Sequence, residues 1–145
     1  MDITETEAAY MAGIMDGEGC ITITHWKTKR NYVGFSNVLH IQVHMTDHAV
    51  PAWLRYKCGG SICFCKGRKW NHKDASRWLL SGPPAASFLN RILPYLRTKR
   101  EQAIIAIGFQ SHKAHGGHGN DELYYIWEEV EREKMGRLNQ RGLYV

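Results

Sequence analysis

No apolar run in this sequence approaches the ~20 residues needed to span a bilayer, and there is no internal repeat and no low-complexity tract. A membrane-crossing helix, a solenoid and a compositionally disordered chain are thereby excluded as its organising feature. The acidic N-terminal stretch does not read as a signal peptide. Cysteine is sparse: Cys20, Cys58, Cys63 and Cys65 are the only four. Without an export signal, reduced thiols fit them better than a disulfide framework, and the expected compartment is the cytoplasm. Acids are scarce through the middle of the chain. Between His25 and Arg77 ten Lys and Arg residues face only Asp47 and Asp74, while the other acids, Glu101 apart, gather near the N-terminus and from Asp121 to Glu133. So one-sided a basic field, interleaved with aromatics and hydroxyls, suits a phosphate backbone. Solvated charge on an exposed hairpin is the plainer alternative. Nothing points to a small-molecule substrate or a membrane partner.

What is present fits one domain of 145 residues, enough for a real core. Thr4 with Glu7 forms a capping-box pattern, so a helix is expected from about Glu5 to the Gly17/Gly19 pair. Cys20 to Lys27 and Phe35 to His44 alternate as half-buried strands, joined by the polar turn Lys27 to Asn31. In the first, Ile21 and Ile23 face inward; in the second, Leu39, Ile41 and Val43 do. Asp47 caps a second helix with Pro51 in its first turn, and Gly59-Gly60 ends it. Strands follow from Ser61 to Lys66 and Ala75 to Ser81, separated by the basic loop Gly67 to Lys73. Gly82-Pro83-Pro84 is expected to break the chain before helices at Ala85 to Leu93 and Thr98 to Phe109. A His- and Gly-rich mobile loop from Ser111 to Asn120, a helix from Glu122 to about Gly136 with an acidic outer side, and a polar tail from about 137 complete an α+β domain spanning 1–145.

Chemistry concentrates at the end of the first helix. Ala9, Gly13 and Gly17 fall at i, i+4 and i+8 and share a face, a spacing that lets two backbones approach closely. Glycine inside a helix costs ~1 kcal/mol against alanine, so some packing reason is required, whether a partner helix or a crowded core. Asp16 and Glu18 flank Gly17 where the helix unwinds. Carboxylates there meet the unfavourable end of the helix dipole unless a cation or a donor compensates. A hard divalent metal would compensate and would also engage a phosphate; a simple exposed turn is the alternative.

Other patterns carry less. Cys63-Phe64-Cys65 with Cys58 supplies no second ligand pair, so Cys63 and Cys65 are expected as small inward-facing core residues rather than zinc ligands. His112, His115 and His118 recur every three residues in the glycine-rich loop and fit a polar flexible segment. His40 and His44 lie in a strand, so their four-residue spacing makes no helical metal pair with His48.

Met11-Ala12-Gly13-Ile14-Met15-Asp16-Gly17-Glu18-Gly19 resembles the LAGLIDADG motif of homing endonucleases. The likeness extends along the chain through Leu39-His40-Ile41-Gln42-Val43, Cys58-Gly59-Gly60-Ser61-Ile62, the segment Leu93 to Ala103, and Leu138-Asn139-Gln140-Arg141-Gly142. It implies an αββαββα fold with a curved antiparallel four-stranded sheet and additional C-terminal helices. It also implies a homodimer, because the motif occurs once, with Ala9, Ala12, Gly13, Asp16 and Gly17 at the interface. Glu18 occupies the position of the Mg²⁺-binding acid, with the Gly17 carbonyl completing the coordination; Mn²⁺ or Ca²⁺ can occupy the same site. Lys99 matches the lysine near the scissile phosphate. Asp16 suits helix-end and interface contacts better than metal binding. One position departs: Met45 stands where some members place a water-ordering glutamine, and methionine cannot order water. Gln42 and His44 lie nearby and either can take that place; Gln42 is counted with Glu18 and Lys99 among the catalytic residues.

The expected substrate is duplex DNA, cut at a long pseudo-palindromic site in the service of intron or gene mobility. The surface expected to meet it is the outward face of the sheet and its loops: Thr22, Thr24, Trp26, Lys27, Lys29, Arg30, Ser36, His40, Gln42, His44, Phe64, Lys66, Arg68, Lys69 and Arg77. There Gln and Arg can read base edges while lysines meet phosphates. Two rival functions stand beside this one. The same fold could serve as a DNA-binding regulator or an RNA-binding splicing factor, and a small zinc module could use the cysteines with a histidine.

Overall fold

The fold was analysed in a computed structural model that describes residues 1–30, 33–113 and 121–140. Helix α1, Glu5–Glu18, starts at the expected capping box: the Thr4 side chain accepts from the Glu7 N–H, and the Glu7 carboxylate accepts from the Thr4 N–H. It runs directly into β1, Gly19–Lys27. Strand β2, Phe35–Met45, returns beside β1, and α2, Ala49–Cys58, follows with Asp47 accepting from the N–H groups of Ala49 and Val50. Strands β3, Ser61–Cys65, and β4, Ala75–Ser81, complete one antiparallel sheet in the order β1-β2-β4-β3.

Gly82-Pro83-Pro84 ends β4 at Ser81 as expected, but the next helix starts at Gly82 itself rather than at about Ala85. A positive φ at Gly82 turns the backbone straight from β4 into α3, Gly82–Ile92, and the two prolines fill its first turn, where a missing N–H costs nothing. A short 3₁₀ turn at Leu93–Tyr95 leads to α4, Arg100–Lys113, and the last helix is α5, Glu122–Leu138. Helix α4 therefore continues through His112, which packs its ring 4.3 Å from that of Trp127. His115, His118 and the rest of the expected loop from 114 to 120 lie outside the described residues, as does the tail from 141. No described helix is long and apolar enough to cross a membrane.

The helices cover one face of the sheet. The register Ile21↔Ile41↔Leu80, Ile23↔Leu39 and Val43↔Trp78 stacks apolar residues on that inner face. Met11 and Met15 of α1, Phe88, Leu89 and Ile92 of α3 and Phe109 of α4 are fully buried in the same core. Two expectations about faces fail here. Phe64 and Lys66 were placed outward with Cys63 and Cys65 inward, but Ile62 pairs with the buried Trp78 and Phe64 with Ser76, so Phe64 lies on the helix side, its ring 5.6 Å from that of His48. Cys63, opposite Arg77, is on the outer face and exposed, and Lys66 lies beyond the strand's end. Helix α5 is not uniformly acidic outside either. Leu123, Ile126 and Val130 are exposed, while Glu128 is 1% exposed and takes hydrogen bonds from Tyr124, Lys113 and Asn37.

Candidate active site

The end of α1 is held by four hydrogen bonds to one carboxylate. Asp16 accepts from the N–H of Arg97 (2.9 Å), Thr98 (3.2 Å) and Lys99 (3.0 Å) and from the Thr98 hydroxyl (2.9 Å). These donors lead into α4, so Asp16 acts as a cap supplied from another helix. The Lys99 ammonium closes the ring by donating to the Asp16 carbonyl at 2.7 Å. Partial burial by itself would raise the Asp16 carboxyl, but the N–H groups of Arg97 and Lys99 and the donors of Thr98 outweigh it and hold the carboxyl below its ordinary range. The compensation that a carboxylate needs at a helix C-terminus thus comes from donors within the same chain. The helix-end contacts expected of Asp16 are thus made within this chain.

Glu18 is different. It is exposed and takes no hydrogen bond or ion pair from any described residue. The carbonyls of Met15 and Asp16 are taken by the Gly19 N–H and the Lys99 ammonium, and that of Gly17 comes next as the helix ends. An unpartnered carboxylate beside a helix-end carbonyl is a hard-oxygen pair, the donor type that Mg²⁺, Mn²⁺ and Ca²⁺ accept. Among the described residues no three His, Cys, Asp or Glu side chains converge on one point, so one chain offers these two oxygens, and any further ligand would be water, phosphate or a second copy.

The β1–β2 register adds a neighbour. Its pairs begin at Gly19↔Val43 and Cys20↔Gln42, and Glu18, the last residue of α1, lines the same cavities as His44 just beyond the end of that ladder. His44 pairs in turn with Arg77, and Arg77 with Cys63. An imidazole and a guanidinium therefore sit side by side on the outer face, with the Glu18 carboxylate at the helix end sharing a cavity with the imidazole. Glu18, Gly17, Gln42, His44 and Lys99 line a single open cleft of about 840 Å³, together with Gln102, Asn139 and Gln140. A smaller cavity of about 270 Å³ again contains Glu18 and His44, now with Met45 and Lys73. Met45 itself is half-buried and packs against the core. Gln102 and Asn139 were missed by sequence reading. Asn139 fastens the end of α5 to β1 by donating to the Ile21 carbonyl at 2.7 Å, a contact between positions too far apart in the chain for any local pattern to show.

The remaining expected residues divide by place. Thr22, Thr24, Trp26, Ser36, His40, Gln42, His44 and Arg77 share the outer face by register, and Trp26 is 55% exposed there. Lys27, Lys29 and Arg30 are exposed or nearly so at the far end of the β1–β2 hairpin, while Arg68 and Lys69 are exposed in the β3–β4 loop. His40 is half-buried. Burial lowers its pKa, Nδ1 is 2.7 Å from the Ser81 hydroxyl, and Nε2 is buried without a partner among the described residues. On α1, Ala9, Gly13 and Gly17 are exposed in a row, and a Cβ at Gly13 or Gly17 would meet nothing of this chain within 4 Å. Ala12 is fully buried in the core and contributes nothing to that outer row.

A sequence profile for LAGLIDADG endonucleases matches residues 11–99. A search of curated proteins finds no match. Among solved structures, the homing endonuclease I-CvuI, in complex with the I-CreI target in the presence of Mg with the DNA not cleaved, superposes with a TM-score of 0.78 at 19% identity over 97% of this chain and 87% of that one. The archaeal intron-encoded homing endonuclease I-Vdi141I, complexed with DNA, gives a TM-score of 0.76 at 13% identity over 95% and 87%. The LAGLIDADG homing endonuclease I-SmaMI, bound to cleaved DNA, gives 0.69 at 15% identity over 92% of this chain but only 45% of its own.

Proposed function

The chain belongs to the LAGLIDADG endonuclease family, and on that premise we propose that two copies of it form a divalent-metal-dependent enzyme that cuts both strands of duplex DNA at a long pseudo-palindromic site. The single observation that carries this reading is the cleft in which Glu18, Lys99, His44 and Gln42 converge beside an outer sheet face rich in donors. Each copy supplies one Glu18. The open row Ala9, Gly13 and Gly17 is where two α1 helices meet, bringing both carboxylates to the centre of the target. The match to less than half of I-SmaMI supports two copies doing what one longer chain can do.

In this reading Glu18 and the Gly17 carbonyl hold Mg²⁺, which when bound polarises the scissile phosphate and assists water in attacking it. Lys99, oriented by the Asp16 carbonyl, keeps further ammonium protons for the negative charge that develops on the phosphoryl oxygens. His44 or Gln42 positions the attacking water, the task that Met45 cannot take. The outer face reads base edges in the major groove while the lysines meet phosphates. We further propose that the cut serves intron or gene mobility in a cytoplasm, bacterial or phage-infected.

The test is cleavage of a randomised duplex library in Mg²⁺, followed by sequencing of the cut ends. Two-fold symmetric ends are expected, and Glu18→Gln should lower the rate at least about a hundredfold, since metal assistance is worth several kcal/mol, while leaving DNA affinity nearly unchanged. A Glu18→Gln chain that cuts normally would remove the metal assignment. Selective binding without any cutting by the wild type would instead favour a regulator or splicing factor, the reading to which the core-packed Met45 lends support.

A further inference from the structure

Trp70 is 98% exposed, more than any other large hydrophobic side chain described. It stands on the loop between β3 and β4, and that loop is a built turn. The Gly67 N–H donates to the Asp74 carboxylate at 2.9 Å, and the His72 N–H donates to the Lys69 carbonyl at 2.9 Å, so Trp70 and Asn71 form the tip. The crossing is so close that a Cβ on Gly67 would collide with the His72 carbonyl. The chain thus holds an indole out in water on a defined support, where it stabilises nothing in its own fold. A single exposed apolar side chain is ordinary by itself; here it is the turn that presents Trp70 and the cations around it that point to a partner.

The surroundings say what is contacted. Arg68, Lys69 and Lys73 are all exposed around the tip, and the only acid, Asp74, is tied to Gly67. The loop emerges from the end of the sheet that carries Glu18, His44 and Arg77, and Lys73 shares a cavity with Glu18 and His44. A second copy of the chain would bring the same net charge of +5 and the same basic loop, so repulsion disfavours it as the partner here. A polyanion with flat apolar faces satisfies both the cations and the indole.

We propose that Trp70 stacks on a base of duplex DNA close to the bond being cut, while Arg68, Lys69 and Lys73 hold the flanking phosphates. This rests on the endonuclease reading and adds to it a base contact made by a loop tip, separate from the sheet face. Indole offers one N–H donor and a broad π-face, so stacking, which every base permits, is its strongest mode. A base engaged from a loop tip must leave part of its own stack, which would open the helix locally beside the scissile phosphates.

The test uses wild-type protein, Trp70→Ala, Trp70→Phe and the Arg68→Ala/Lys69→Ala double variant. The probe is the duplex recovered from the cleavage library, held without Mg²⁺ and carrying 2-aminopurine at successive positions. Wild-type protein should brighten the probe at one symmetric pair of positions near the centre. Trp70→Ala should abolish that signal and weaken binding about ten- to a hundredfold, and Trp70→Phe should keep most of both. The salt dependence should be unchanged in Trp70→Ala and shallower in the double variant. If Trp70→Ala binds and brightens the probe like the wild type while the wild type cuts, the inference falls and the endonuclease reading stands. If Trp70→Ala instead loses self-association on sedimentation with DNA affinity unaltered, the partner is a second copy and the inference is equally overturned. A wild type that binds no duplex removes both.

Discussion

Asp16 and Glu18 sit two positions apart, yet four donors converge on the first and none of the described residues touches the second. The motif's acids were legible in the sequence as a pair needing compensation at a helix end. Their division was not, because Asp16 finds its donors at Arg97, Thr98 and Lys99, far beyond any local pattern. This gives a stability prediction with a sign. The folded carboxyl lies below its ordinary value, so ionised Asp16 stabilises the fold at all pH above the unfolded carboxyl's ~4, and that contribution is lost as pH falls through the folded value. Asp16→Asn keeps most hydrogen bonds but not the charge. It should be less stable than wild type at pH 7, by about 1 kcal/mol as for other helix caps, and the gap should narrow at an acidic pH below the ordinary carboxylate range. Urea titrations at the two pH values check this. A second prediction separates the two candidates left by Met45. His44, which shares both cavities with Glu18 where Gln42 shares only the larger, should be the water-positioning residue. His44→Ala should lower kcat about a hundredfold, the cost of a misplaced reactant, with DNA affinity kept. His44→Gln should recover part of the rate, and Gln42→Ala should mainly weaken DNA binding. Single-turnover rates set beside binding isotherms distinguish these outcomes.

Helix α1 shows the same division between its two sides. Met11, Ala12 and Met15 are fully buried, and Ala9, Gly13 and Gly17 look outward into space that this chain does not fill. Replacing Gly13 by leucine should therefore leave the monomer's fold intact, with better helix propensity by about 0.8 kcal/mol, and should still destroy the dimer by pushing two helices apart. Circular dichroism should stay native-like while sedimentation shifts to the monomer and cleavage disappears. A dimeric Gly13→Leu chain would place the seam elsewhere. Sequence reading found this face but added Ala12 to it, since a small apolar residue suits a core and a tight interface equally. It located β1 and β2 closely because one face of each is buried, which enforces alternation. It reversed β3 because that edge strand has no such signal: Ser61 to Phe64 are all exposed, and only pairing with Trp78 and Ser76 decides which way Phe64 points. Trp70 went unassigned for a related reason: the sequence places it in a basic loop but not on either side of that loop, and only the turn that lifts it shows which way it faces.

At the scale of the whole molecule, charge and symmetry act together. A chain of net charge +5 gains nothing electrostatically by self-association, so two copies meeting along a glycine-lined seam need either close van der Waals contact or a polyanion to neutralise them. Under the proposed function duplex DNA would supply the second, with each copy laying its outer sheet face and its β3–β4 loop on one half of the target. Binding should release counterions in proportion to the phosphates neutralised, with a logarithmic salt slope of ~0.9 per contact on B-form DNA. Arg68, Lys69 and Lys73 count twice in a two-fold complex. Replacing all three by alanine should therefore flatten the slope by about 5, measured by fluorescence anisotropy between low and moderate salt. The same replacement on a monomeric complex would flatten it by only about half as much. The size of the change thus counts the copies on the DNA as well as identifying the phosphate contacts. A slope that stays the same would show that the loop does not meet phosphates at all, and that the basic residues around Trp70 are solvated charge.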